Sequence, residues 1–158
     1  MISTAVEQDN RARARKQLVD QLNGLLADYQ IYYQNLRGFH WNITGHLFFQ
    51  LHAQFEELYQ EAAGTIDQLA ERIRALDATP LHALDDYFQK AQLTAAKNVS
   101  QGEKAIHITW KNNQVILYTL KEALATALEA QDEGTVSFVE DLIKDTEKRI
   151  WMLRAFLQ

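Results

Sequence analysis

Apolar residues recur at intervals of three and four along most of the chain. Leu18, Leu22, Leu25, Tyr29, Tyr32 and Leu36 form a first stripe, a spacing that lines one face of an amphipathic helix. Asp9 or Asn10 stands where a cap would be, which predicts a helix over 10–41 preceded by a flexible arm, residues 1–9. A second stripe, from Phe48, Leu51, Phe55 and Leu58 through Ala62, Ile66, Leu69 and Ile73 to Leu76, predicts a helix over 46–76. Asp77, Thr79 and Pro80, the only proline, end it. Leu81, Leu84, Tyr87 and Phe88 predict a short amphipathic helix at 82–90 inside the connection that follows. Ser100 and Glu103 make an S-x-x-E capping box with Val99 in the staple position. It opens a third stripe, Ile106, Trp110, Leu117, Leu120, Leu124 and Leu128, over 100–130. Gly134 and Thr135 separate that stripe from the fourth, Val136, Val139, Ile143, Ile150, Leu153 and Leu157, over 135–157. No stretch alternates at period two for long enough to make a strand. The pattern predicts one all-α domain, a four-helix bundle whose long second connection permits a crossover topology.

Composition narrows the chemistry. With 158 residues the chain is long enough to bury a core without staples. It has no cysteine, which excludes disulfides, thiolate nucleophiles and sulfur-ligated metal sites. The formal charge of −5 argues against a general polyanion binder. No apolar run approaches the roughly 20 residues of a membrane span, and Met1 to Asn10 lacks the basic-then-apolar order of a signal peptide. The expected location is therefore the cytoplasm.

Three of the five histidines, His40, His46 and His52, surround the break in periodicity at Asn42–Gly45. His52 precedes Glu56 by four residues, which places both on one helix face, and Asp67 and Glu71 repeat the spacing with two carboxylates. Imidazole nitrogens mixed with carboxylate oxygens suit iron, manganese or zinc. Glu56 and Asp67 point nearly the same way but lie about 16 Å apart along a helix, whereas metal–ligand bonds are about 2 Å long. These groups either serve separate purposes or meet across a two-fold axis, where antiparallel copies of the helix set His52 and Glu56 of one chain opposite Asp67 and Glu71 of the other. None of the histidines has glutamate three residues before it. The Glu-x-x-His signature of di-iron bundles is thus missing, which argues against a site inside one subunit.

The run Phe39-His40-Trp41-Asn42-Ile43-Thr44-Gly45, then Phe48-Phe49, Leu51-His52 and Phe55-Glu56-Glu57-Leu58-Tyr59, then Asp67 with Glu71-Arg72-Ile73, resembles the Dps family. These are the DNA-binding proteins from starved cells, or mini-ferritins, and the likeness extends to the short middle helix and to Ile150-Trp151-Met152. The resemblance implies a ferritin-like four-helix bundle with a short extra helix between helices 2 and 3, assembled as a homododecamer. It implies an iron-oxidising centre at each dimer interface, with His40 and His52 from one subunit and Asp67 and Glu71 from its neighbour. The ligand four residues after the second histidine is often aspartate in the family; here it is Glu56. Trp41 matches an aromatic that intercepts radicals near the centre, or else anchors the interface. The implied activity is that of a ferroxidase: Fe2+ is oxidised, preferably by hydrogen peroxide, and ferric mineral is stored in the shell. Zn2+ or Mn2+ are alternative occupants.

Acidic residues near the start of the last helix line an iron-entry pore in this family, which makes Asp132 and Glu140 the candidates here, against an ordinary acidic turn. His46, His82 and His107 have no partner pattern, and Glu57 with Glu61 reads as a solvated face. Arg11, Arg13, Arg15 and Lys16 are the one basic cluster, but their spacing turns them to different sides of a helix. With the negative net charge, this argues against direct DNA binding. A nucleoid-compacting protein with secondary iron chemistry is the competing function, and a metal-free bundle the third.

Overall fold

The protein is described here by a computed structural model covering residues 2–158, with side chains from residue 6 onward; Met1, the first residue of the expected arm, lies outside the described residues. The helices are α1 (Ile2–Asn42), α2 (Phe48–Ala75), α3 (Leu84–Lys90), α4 (Gly102–Ala130) and α5 (Glu133–Phe156). The four long helices and the short one between α2 and α4 are those the periodicity predicts. No strand occurs among the described residues, and no helix is long and apolar enough to cross a membrane.

Two helix starts differ from expectation. Helix α1 begins at Ile2 rather than near residue 10. Val6, Glu7 and Gln8 offer no glycine or proline to interrupt it, so helical propagation runs through Asp9 and Asn10 instead of starting there. The S-x-x-E capping box does not form: Gln101 is the N-cap of α4, with no side-chain hydrogen bond. The Ser100 carbonyl instead accepts the Thr44 amide at 2.9 Å, in an isolated parallel bridge between Thr44 and Gln101. A long-range backbone pair thus holds Ser100 extended where the local motif favours a cap.

Helix α1 packs on α2, α3 and α4, and α4 packs on α5. Its stripe Leu18, Leu22, Leu25, Tyr32 and Leu36 is buried at the centre, where it meets Phe55, Leu69, Ile73, Ile106 and Leu120. The short turn after α1 makes α2 antiparallel to it. The connection from α2 to α4 then travels back along α1, stitched by polar side chains of that helix. Arg15 donates to the Leu76 carbonyl at 3.2 Å, and Asn23 accepts the Leu81 amide at 2.8 Å. Asp28 accepts the Gln92 and Leu93 amides at 2.7 and 2.9 Å, and Asn35 accepts the Ala96 amide at 2.8 Å while donating to the Thr94 carbonyl. From Arg15 to Thr44 this crossover spans about 40 Å, so α4 starts beside the start of α2 and runs parallel to it.

Asp28 is fully buried, and one of its carboxylate oxygens has no partner. Burial raises its carboxyl above the ordinary value, against the lowering pull of the two amides. The native state therefore holds this proton more tightly than the unfolded chain does. The stability it contributes is complete below the ordinary carboxyl pKa and is lost as pH rises through the raised one. Asp28→Asn keeps an acceptor for the amides and does not titrate. Wild type is expected to lose stability relative to Asp28→Asn as pH rises from about 4 to about 7. Urea midpoints at the two ends of that range check this, and an unchanged difference would show that the carboxyl is not shifted.

Candidate metal centre

The turn joining α1 to α2 decides the geometry of the site. Gly45 sits at φ +106°, a backbone conformation that side chains rarely adopt, and Ile43 is buried beneath the turn. The end of α1 and the first turns of α2 are thereby folded onto each other, and His40 meets His52. The two rings stack with centroids 3.8 Å apart and 17° between planes. Each Nδ1 lies 2.8 Å from the main-chain carbonyl of the other residue, in a reciprocal pair. A carbonyl oxygen only accepts, so each Nδ1 carries the hydrogen and donates. In a neutral imidazole this leaves both Nε2 atoms with the lone pair, the arrangement a metal-ligating histidine adopts.

Glu56 completes the cluster. One ligand atom from each of His40, His52 and Glu56 lies within 4.8 Å of the others. Ligands on opposite sides of an ion with bonds of about 2 Å are themselves about 4 Å apart, so a shift of under ~1 Å closes the set. Two imidazoles and a carboxylate suit a hard or borderline cation such as iron, manganese or zinc. His40 is 8% exposed, and His52 and Glu56 are half-buried, which leaves an open approach on one side.

Asp67 and Glu71 do not join this cluster within the chain. Both are exposed farther along α2, as the helical rise dictates. One chain thus gathers His40, His52 and Glu56 at the start of α2 and leaves two exposed carboxylates three turns on.

Trp41 is 55% exposed, so it is no core anchor within one chain; the Arg37 guanidinium lies 4.7 Å over its ring and 5.2 Å over that of Tyr33. Asp132 is the N-cap of α5, accepting the Thr135 amide at 2.9 Å, and pairs with Arg72 at 2.8 Å. Glu140 is exposed on α5. His46 and His107 are exposed, and His82 lies against the Pro80 carbonyl. Two residues shape the centre without having been singled out as site residues from the sequence. Phe48 stacks on His52 at 5.1 Å and Tyr59 meets His40 edge-on at 5.3 Å. They lie four residues before and seven after His52, on its own helix face, which is the signal that could have found them.

The crossover four-helix bundle places the chain in the ferritin-like class, and the ferritin-like domain family matches residues 19–158. Among relatives, an uncharacterized protein of Haemophilus influenzae is 42% identical over 90% of this chain and 89% of its own. The DNA protection during starvation protein of Porphyromonas gingivalis is 39% identical over 88% of this chain and 87% of its own. The Dps protein of Vibrio cholerae O1, a member of a broad superfamily of ferritin-like diiron-carboxylate proteins, superposes with a TM-score of 0.91 at 40% identity, covering 92% of each chain. The chain belongs to the Dps family.

Proposed function

We propose that this protein is a ferroxidase and iron-storage mini-ferritin, with iron as its substrate and cargo. The reading rests on the reciprocal His40–His52 hydrogen bonds, which fix both rings with a ligating nitrogen free beside Glu56. In the assembled protein, two-fold-related copies set His40, His52 and Glu56 of one chain against Asp67 and Glu71 of the other. Twelve chains enclose the shell, and Zn2+ or Mn2+ compete for the same ligands. Carboxylate oxygens favour Fe3+ over Fe2+, and neutral imidazoles keep the local negative charge low. Two ferrous ions each give one electron to hydrogen peroxide, whose O–O bond breaks to yield two hydroxides that stay with the ferric product. Removing ferrous iron and peroxide together denies the hydroxyl radical both of its precursors. That fits the DNA protection named in the Porphyromonas gingivalis relative. Trp41, beside His40 and exposed, is placed to intercept stray radicals.

Two measurements test this reading. Sizing is expected to give a dodecamer, and a monomer would sink the reading, because no chain carries a whole centre. Peroxide-driven Fe2+ oxidation is expected to fall to background in His52→Ala; a wild-type rate would remove the site assignment.

Among the described side chains of α1, none favours the nucleoid-compacting alternative. Arg11, Arg13 and Lys16 are exposed, but Arg15 is tied to the Leu76 carbonyl and lies 3.8 Å from Asp77. No continuous basic face forms against a formal charge of −5 per chain. A gel shift at physiological salt is expected to show no retarded DNA, and retardation that weakens steeply with salt would restore the alternative.

A further inference from the structure

A second polar cluster runs from the buried interior of the bundle out to the exposed carboxylate of Glu61. Its members come from all four long helices: Tyr29 and Tyr32 from α1, Glu61 from α2, Asn113 from α4 and Arg149 from α5. Tyr29, Tyr32 and Asn113 are buried, at 3%, 1% and 0% exposure. Arg149 reaches in among them. It donates to the Asn113 side-chain carbonyl at 3.2 Å and to the Glu61 carboxylate at 2.9 Å, and the Asn113 amide donates to the Tyr32 hydroxyl at 3.0 Å. Burial pushes the Tyr29 phenol up to about 12, with the Arg149 charge pulling the other way. Helices α2 and α5 leave a groove of about 790 Å³ over this cluster, with Tyr29, Glu61, Thr146 and Arg149 in its lining. Tyr29, Glu61 and Arg149 are therefore reachable from the groove, with Tyr32 and Asn113 behind them.

Take the guanidinium away and what remains is a carboxylate, a carboxamide oxygen and two phenols contributed by three helices, α1, α2 and α4. That is an all-oxygen donor set of the kind hard cations select, placed where facing helices of a bundle build metal sites. Arginine cannot lose its charge in a protein, so the place of the cation is taken permanently. We infer that Arg149 is a specificity-determining residue of the bundle: its guanidinium stands in for a metal ion among Tyr29, Tyr32, Glu61 and Asn113 and keeps iron out of the subunit core. Iron is then directed away from the subunit core and toward the interface ligands of the proposed function.

Tb3+, a hard cation whose luminescence is sensitised by nearby tyrosine, is the probe, applied to assembled protein carrying His52→Ala and Asp67→Ala so that the interface set is disabled. With Arg149 intact, no tyrosine-sensitised Tb3+ is expected. Arg149→Gln, and Arg149→Met alongside it, are each expected to gain one bound ion per chain, and adding Glu61→Gln is expected to abolish the gain. Core-bound Tb3+ with Arg149 intact would overturn the inference. So would a folded Arg149 variant that gains no ion, or a gain that survives Glu61→Gln. Unfolding of both variants would make the arginine a strut and overturn it as well. None of these results depends on whether the interface oxidises iron.

Discussion

Chains carrying His52→Ala and chains carrying Asp67→Ala, refolded together, are expected to recover iron oxidation that neither variant shows alone. Under the proposed arrangement each variant breaks every centre in its own assembly, because a proposed centre draws its histidines from one chain and its free carboxylates from another. Losing an outer partner of a metal ligand already costs about 10–100-fold in affinity or activity, so losing a ligand itself costs at least that. In a mixed pair the geometry differs. The Asp67→Ala chain supplies intact His40, His52 and Glu56, and the His52→Ala chain supplies intact Asp67 and Glu71. One centre of that pair is whole and the other is doubly broken. Random pairing makes about half of the pairs mixed, so about a quarter of the centres return. Stopped-flow Fe2+ oxidation with peroxide reads this directly. A mixture no faster than the mean of the two variants would mean that the four residues do not share a centre.

Phe55→Ala is expected to be the most damaging single substitution near the candidate centre, although Phe55 is not itself a candidate ligand. Its side chain is fully buried and packs against Phe39 with ring centroids 5.4 Å apart. Phe39 precedes His40, and Phe55 lies between His52 and Glu56 on α2, so this aromatic pair is the floor on which the ligands stand. Truncation removes the ring and leaves a cavity, at a cost of about 3–5 kcal/mol. That is a large share of the roughly 5–15 kcal/mol that holds a domain of this size folded. Phe55→Leu refills much of the space and is expected to cost about 1–2 kcal/mol. Urea unfolding gives the stability, and Co2+ titration is expected to show affinity falling at least about tenfold in Phe55→Ala. A loss under about 1 kcal/mol would show that the ring is not the packed floor described here.

The helices were legible because burial imposes a period. Leu18, Leu22, Leu25 and Leu36 are buried in the order the spacing dictates. Helix starts were harder, because a capping motif is a local preference that a distant partner can override. The Thr44–Gln101 bridge took Ser100 from its cap, and uninterrupted helix upstream made Asp9 and Asn10 interior residues. Within α2, the separation of Glu56 from Asp67 followed from helical rise alone, which left open whether the two groups serve separate purposes or meet across a two-fold axis. His40 was different. It lies on another helix, and only family resemblance proposed it as a ligand, since spacing carries no information across a turn such as the one at Gly45. The Arg149 cluster was invisible for a further reason. Tyr29 and Tyr32 fit the apolar stripe of α1, and nothing in that stripe says that the charge of an arginine more than a hundred residues away lies near them.

The stitched crossover also constrains the order in which the chain folds. Asn23, Asp28 and Asn35 capture backbone amides 58 to 65 residues farther along the chain, so each stitch closes a long loop. Closing such loops costs entropy before any contact returns it. The acceptors are evenly presented only once α1 is already helical. Helix α1 is thus a template as well as a wall of the bundle: the connection has no register of its own until α1 supplies one.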